Sequence, residues 1–185
     1  MCHSPRLNAN LYAFLSRIDE DLAAETRARR CRRCKNALHK NRFPRKPRGG
    51  GLIGLGPGPH FRLSLTCSKC SKRHTPASVR FLGRRVYLGG IVVLVTALRA
   101  GLTDKRADQL TEWLHVPRRT IARWRTWWLQ DFVASAFWRT ARAWFMPPVA
   151  AVSLPASLLQ RFEGPDLTSQ LVAILRFLTP LCEGR

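Results

Sequence analysis

Apolar residues recur at helical spacing near the N-terminus. Between residues 7 and 30 they fall three or four positions apart, which places them on one face of a helix. The residues on that face are Leu11, Phe14, Leu15, Ile18 and Leu22. The pattern therefore predicts an amphipathic helix that packs against another part of the protein.

The pattern then changes to one typical of loops and short strands. Residues 41–59 contain four Pro and six Gly, which predicts a loop or arm with neither helix nor regular strand. Residues 60–66 alternate Phe61, Leu63 and Leu65 with polar neighbours, which predicts a strand leading into Cys67. Residues 79–81 are the expected partner strand.

The C-terminal half has the spacing of helices. The predicted helices are 86–99, 104–114 with Thr103 as N-cap, one from 118 onward, 136–145 after Ser135, 154–162 after Ser153, and 167–178 after Asp166. The last two carry apolar stripes that favour a core, with a dimer surface as the alternative. Those stripes consist of Leu154, Leu158, Leu159, Phe162, Leu171, Ile174, Leu175 and Leu178.

These elements predict an α+β protein with four parts. They are an N-terminal helical segment (1–30), a small β unit with the basic arm (31–85), a second helical unit (86–130) and a helical tail (131–185). The longest apolar run, 86–98, contains two glycines and is too short to span a membrane. Residues 1–10 lack the apolar run of a secretory signal, so we expect a cytoplasmic protein.

Charge indicates what the protein binds. The chain has 185 residues and a net charge of +21, and residues 26–103 contain 19 Lys or Arg but no Asp or Glu. Its 45% hydrophobic content argues against a disordered basic tail. A folded chain of this kind attracts polyanions such as DNA or RNA.

Four of the six cysteines form two C-x-x-C pairs, Cys31/Cys34 and Cys67/Cys70. Two such turns supply the four thiolates of a closed tetrahedral zinc site, with a structural rather than a catalytic role. The 32 residues between the pairs exceed the spacing of a compact paired site, and the Pro/Gly arm is expected to absorb the excess. The alternatives are unrelated buried cysteines or a redox pair. The isolated His and Cys residues, including His74 and Cys182, are not assigned as ligands.

Residues 104–128 have the apolar spacing of a helix-turn-helix. Leu110, Leu114 and Val116 would fill the first helix and turn, and Ile121 and Trp124 the inner face of the second helix. The alternative is an ordinary helical hairpin with a solvated arginine face.

The outer face of that second helix would enter the major groove of DNA, so residues 86–130 are the expected DNA-binding domain. Arginine binds guanine with two hydrogen bonds, so Arg118, Arg119 and Arg123 are the candidates for base readout. The other expected contacts on this helix are Thr120, Ala122, Arg125 and Thr126. In the arm, the candidate phosphate contacts are Arg42, Arg45, Lys46 and Arg48. Trp127 and Trp128 are assigned to packing.

The segment from Cys31 to Trp128, about half the chain, resembles bacterial transposase-associated DNA-binding modules, in which a zinc ribbon precedes a homeodomain-like helix-turn-helix. The motifs that carry the resemblance are CRRC, CSKC, RHTPASVRFLGRRVYL and LTEWLHVPRRTIARWRTWW. The resemblance implies that these units bind transposon ends or related sites. It also implies metal-ligand roles for the four cysteines and DNA-contact roles for the arginines of the second helix.

We therefore expect a non-catalytic, zinc-containing accessory or regulator that binds double-stranded DNA. Its expected protein partners are a transposase or a second copy of itself, and no membrane is expected. One alternative is a zinc-ribbon protein that binds RNA. Another is a transposase subunit or remnant whose catalytic part lies in another chain, because no set of three carboxylates on a sheet follows the helix-turn-helix.

Overall fold

The computed structural model describes residues 9–45, 60–82, 87–88, 92–93, 96–97, 108 and 117–182. Within them the chain forms both helices and strands, which confirms the expected mixture of α and β structure. The expected helix and turn at 104–116 lie outside the described residues, apart from the helical Asp108.

The helices are α1 (Ala9–Ala28), α2 (Arg118–Thr126), α3 (Ala136–Ala141), α4 (Ala156–Leu159) and α5 (Leu167–Phe177). A π-helical turn at Trp127–Phe132 continues α2, and 3-10 turns lie at Arg142–Trp144, Ala151–Ser153 and Thr179–Cys182. The strands are β1 (Leu38–Arg45), β2 (His60–Cys67), β3 (Arg73–His74), β4 (Phe81–Leu82) and β5 (Tyr87–Leu88).

Helix α1 confirms the N-terminal prediction in its main features. Leu11, Leu15 and Ile18 are buried on one face, as their spacing requires. Phe14 was expected on that face but is 48% exposed, because it lies at the edge of the stripe. The helix ends before Arg30, whose positive φ of 58° turns the chain toward Cys31.

Strands β1, β2 and β3 form an antiparallel sheet with β2 in the middle. The loop prediction is wrong for residues 41–45, which continue β1 and pair with β2 from Leu38 opposite Cys67 to Arg45 opposite His60. Pro44 is tolerated because β1 lies at the edge of the sheet among the described strands, where a missing N–H need not break a ladder. Residues 46–59 lie outside the described part.

The prediction that residues 79–81 pair with β2 is also wrong. The second neighbour of β2 is β3, whereas Phe81–Leu82 pairs with Tyr87–Leu88 in a separate two-stranded ladder. Because residues 87–88 are strand, the helix predicted over 86–99 does not begin at Val86. Its described helical residues are Val92, Val93, Thr96 and Ala97.

Local side-chain chemistry explains where the later helices begin. Ser135 caps α3 by accepting from the Trp138 N–H at 3.1 Å, and Asp166 caps α5 by accepting from the Ser169 N–H at 2.7 Å, both as predicted. Ser153 is not a cap. It lies in a 3-10 turn, and α4 begins only after Pro155, whose fixed φ favours the start of a helix.

The principal core joins both ends of the chain. Leu11 and Leu15 of α1 belong to the same buried cluster as Trp128, Phe132 and the apolar stripes of α4 and α5. The stripes are therefore core, with Phe162 partly buried at its margin. The residues expected to form a tail thus pack in one core with the N-terminal helix.

A buried carboxylate ties α1 to the segment that precedes β4. Asp19, 3% exposed, accepts hydrogen bonds from the Ser78 hydroxyl, the Val79 amide and Arg80 Nε, each at 2.7 Å. Arg80 is itself only 8% exposed, so the two groups form a buried ion pair. A buried charge is tolerated when its partners satisfy it in this way.

The remaining donors of Arg80 extend the network to a third element. Its guanidinium donates to the Phe61 carbonyl of β2 at 3.0 Å and to the Tyr12 hydroxyl of α1 at 3.2 Å. Helix α1, strand β2 and residues 78–80 are therefore joined at one point.

We expect Asp19→Ala to lower the free energy of unfolding by about 3–5 kcal/mol, because the substitution leaves the Arg80 charge buried without a partner. Urea denaturation measures this loss. The matched control is Asp21→Ala, an exposed carboxylate on the same helix, which should change stability by less than about 0.5 kcal/mol.

The double variant Asp19→Leu/Arg80→Met removes both charges and should recover much of the lost stability. If Asp19→Ala were as mild as its control, the network would not hold α1 in place.

Candidate metal centre and nucleic-acid interface

The two C-x-x-C segments adopt the same turn. In the first cysteine turn (31–36), the Lys35 N–H donates to the Cys31 carbonyl at 2.9 Å, and the Cys31 N–H donates to the Asn36 carbonyl at 3.0 Å. The second cysteine turn (67–72) repeats both bonds, from Ser71 N–H to Cys67 at 3.1 Å and from Cys67 N–H to Lys72 at 3.0 Å. Even the left-handed residue recurs, with φ of 59° at Lys35 and 53° at Ser71.

The sheet brings the two turns together. The first turn ends just before β1 and the second begins at the end of β2, and β1 pairs with β2 so that Leu38 lies opposite Cys67. The Ser68 N–H also donates to the Ala37 carbonyl at 3.1 Å. The long interval between the cysteine pairs is therefore compatible with one site, since the paired strands return the chain to its starting point.

The four sulfur atoms form one cluster. All four Sγ atoms lie within 4.8 Å of one another, with Cys34 and Cys67 at 3.3 Å and both Cys31–Cys70 and Cys34–Cys70 at 3.6 Å. These separations exceed the about 2.05 Å of a disulfide bond. A tetrahedral zinc–thiolate centre with bonds of about 2.3 Å has sulfur–sulfur edges of roughly 3.8 Å. The donor set and its dimensions fit a metal ion.

The surroundings of two thiols favour the thiolate that a metal ion requires. The Cys70 amide N–H is the main cause that lowers the pKa of Cys67 to about 6, against the opposing effect of burial. Burial raises the pKa of Cys31, but hydrogen bonds from the Cys34 and Arg33 amides and the His74 side chain outweigh it and lower that pKa to about 7.

The environment of the Cys34 thiol differs from that of Cys31 and Cys67. The Asn36 amide lowers the pKa of Cys34, but hydrogen bonding with the Cys67 sulfur, burial and the other two sulfurs raise it to about 12. Of these three cysteines, Cys34 is the one that most favours the neutral thiol. A bound cation would replace that proton.

His74 contributes to this site although its isolation in the sequence gave no reason to include it. It lies on β3, opposite Leu65 of β2, and its side chain hydrogen-bonds to Cys31. The sequence feature that could have identified His74 is its position just after the second cysteine turn. It is a supporting residue and not one of the four clustered ligands.

Helix α2 presents the arginine face expected from the sequence. Ile121 and Trp124 are buried, whereas the candidate contacts on the opposite side are exposed. Those exposed residues are Arg118, Arg119, Ala122, Arg123, Arg125 and Thr126. Arg118 also forms an ion pair with Asp108.

Thr120 differs from the other candidates on this helix. It is 6% exposed, because it lies beside Ile121 and one turn before Trp124 on the inward stripe. Its hydroxyl accepts a hydrogen bond from Arg123 at 3.2 Å. Thr120 is therefore the buried member of the predicted DNA-contact set, and its hydroxyl contacts the arginine three residues later.

The aromatic residues that follow α2 belong to the interior. Trp128 is fully buried and contacts Phe132 edge-on at 4.9 Å between ring centroids, and Trp127 lies 4.8 Å from Trp128 in the same cluster. Packing was the expected role for both tryptophans, and the burial of Trp128 confirms it there.

The arm candidates are only partly described. Arg42 and Arg45 lie on β1, and Arg42 forms an ion pair with Glu20 of α1 at 3.8 Å, a contact that the sequence pattern did not reveal. Glu20 also pairs with Lys40. Lys46 and Arg48 lie outside the described residues.

Comparison with known proteins returns nothing. No family model, curated protein or solved structure matches the chain. Among the residues that the structure describes, no helix has both the length and the apolar character that crossing a bilayer would need.

We expect Cys67→Ser to abolish stoichiometric zinc binding and to unfold the cysteine turns, because the site loses one of its four sulfur ligands. Zinc stoichiometry and circular dichroism measure the two effects. The control is Cys182→Ser, which changes a buried cysteine outside the cluster and should keep the zinc. Native folding after complete metal depletion would contradict a structural role.

Proposed function

We propose that this protein is a non-catalytic, zinc-stabilised DNA-binding protein that uses α2 as its recognition helix. The observation that carries the proposal is the division of α2 into two faces. One face is anchored by Ile121 and Trp124, and the other displays four arginines with no acidic residue on the helix.

The geometry of this face suits the major groove. An α-helix fits that groove, and arginine side chains recognise guanine through paired hydrogen bonds. Arg119 and Arg123 lie four residues apart and therefore share one side of the helix. Thr120 holds the Arg123 guanidinium at 3.2 Å, so this side chain is partly oriented before DNA binds.

The cysteine cluster supports a structural zinc ion. Four sulfurs within 4.8 Å would fill every position of a tetrahedral ion and leave none for a substrate. When bound, the ion supplies cross-linking between the two cysteine turns. The four cysteine side chains would hold the ion and so stabilise this end of the sheet, and no catalytic role is proposed for them.

The biological setting that we propose follows from the motifs described above. Their resemblance to transposase-associated modules supports an accessory or regulatory role at a mobile element, with a transposase or a second copy of this chain as the protein partner. Nucleoid association in the cytoplasm would follow from DNA binding itself. Basic residues of the arm, Arg42, Arg45, Lys46 and Arg48, would add phosphate contacts.

The deciding experiment is a selection from a randomised duplex library with zinc-loaded protein at near-physiological salt, where binding by charge alone is weakened. We expect an enriched motif with defined guanines. Tight binding at low salt without enrichment would contradict base readout by α2, and preference for single-stranded RNA loops would favour the RNA alternative.

We expect Arg123→Ala to weaken binding to the enriched site by about 1–3 kcal/mol and to relax the preference at one base pair. Lys46→Ala should instead weaken binding to all sequences alike, as expected for a phosphate contact. Fluorescence anisotropy with cognate and scrambled duplexes measures both effects. The control is Arg139→Ala, an exposed arginine on α3 that should change neither value.

If Arg123→Ala reduced affinity equally for cognate and scrambled duplexes, the assignment of this residue to base readout would be wrong.

A further inference from the structure

A second basic surface lies at the metal end of the sheet. The cysteine turns carry exposed cations at the positions between and after their ligands. We call this set the turn surface, and it consists of Arg32, Arg33, Lys35, Lys69 and Lys72. None of these residues belongs to α2 or to the arm.

The sulfur cluster brings together the two turns that carry these cations. Because the four Sγ atoms lie within 4.8 Å of one another, the residues between the cysteines of both turns meet at one end of the sheet. The turns also share the same hydrogen bonds and the same left-handed residue. Five exposed like charges thus lie on two turns that meet at one end of the sheet.

Three of the four acidic residues of α1 pair with other cations. Glu20 pairs with Lys40 and Arg42, whereas Asp19 is buried against Arg80. A third α1 carboxylate, Glu25, lies 3.6 Å from Arg29. No Asp or Glu occurs between residues 26 and 103, so neither the turns nor the strands beside them contribute a counter-charge.

A metal centre would not cancel this charge. A zinc ion with four thiolates carries a formal charge of −2, which is smaller than the five positive charges of the turn surface. The sulfurs of Cys31 and Cys67 are also buried, whereas the cations are exposed. The surface therefore keeps a net positive potential toward solvent.

We propose that the turn surface binds the sugar-phosphate backbone of duplex DNA as a second contact, separate from base reading by α2. Short convex turns do not enter a groove as a helix does, and lysine lacks the planar fork that recognises guanine. The contact is therefore sequence-independent. This proposal rests on the DNA-binding function proposed above. The contact would increase the affinity for DNA and fix the position of the protein along the duplex.

The salt dependence of DNA binding tests this directly. The variant is Arg33→Gln/Lys69→Gln/Lys72→Gln, whose three side chains make no ion pair among the described residues. The matched control, Arg139→Gln/Arg142→Gln/Arg176→Gln, removes three exposed arginines of the helical C-terminal region. Both variants must first show one zinc per chain and the far-ultraviolet circular dichroism of the parent protein.

Affinity for a random-sequence duplex is then measured across salt concentrations. Each phosphate contact contributes about 0.9 to the slope of log affinity against log salt, so the turn variant should reduce the slope by about 2–3. The control should reduce it by less than about 1. Equal reductions in the two variants would overturn the proposal, and so would a loss seen only with double-stranded RNA.

The two experiments distinguish a failure of the turn-surface proposal from a failure of the α2 proposal. If α2 does not read bases, the library selection yields no motif while the turn variant still lowers the slope. If the turn surface does not bind phosphates, the motif remains and the turn variant has the slope of its control.

Discussion

The carboxylate of Asp19 is the point on which the arrangement of the described chain depends. It is one of only 11 acidic residues in a chain of net charge +21, yet it is among the most deeply buried polar groups. Through Arg80 it joins α1 to β2 and to the residues before β4. Helix α1 in turn packs in the core that contains α4 and α5, so one ion pair connects the sheet to the helices. Removing either partner leaves a buried charge, which folded proteins tolerate poorly.

The two ends of the molecule are stabilised by different means. The helical part has a large core of aromatic and aliphatic residues, including the fully buried Trp128 and Leu158. Among the described residues, the buried cluster of the sheet end consists of Leu38 and Leu65 beside two cysteines, which is too little apolar surface to hold two turns in place. The sulfur cluster fits a metal ion that would supply the missing stability. Metal loss should therefore act first on the sheet end, while the helical core retains its own packing.

Much of this could be read from local patterns. Helical spacing located α1 and the apolar stripes, capping residues located α3 and α5, and the C-x-x-C spacing identified the four clustered cysteines. Features that depend on distant partners could not be read in this way. The local sequence predicts a loop at Pro44, but pairing with β2 places it in a strand. Thr120 is buried because α2 packs with that side toward the interior. Arg80 lies in a stretch that contains no Asp or Glu, and its counter-charge, Asp19, lies 61 residues earlier in the chain. No local pattern indicates this pair.

The π turn after α2 couples the exposed helix rigidly to the interior. It carries the helix without a break from the exposed arginines to Trp128 and Phe132, which pack in the interior. A tilt of the arginine face would therefore have to displace these rings, and a close-packed interior resists such displacement. The backbone of the arginine face is therefore held in one orientation by the interior, whereas the exposed arginine side chains keep their own rotamer freedom. Any partner of this face would therefore meet a rigid helix backbone, and the mutual fit would have to come from the long arginine side chains and from the partner itself.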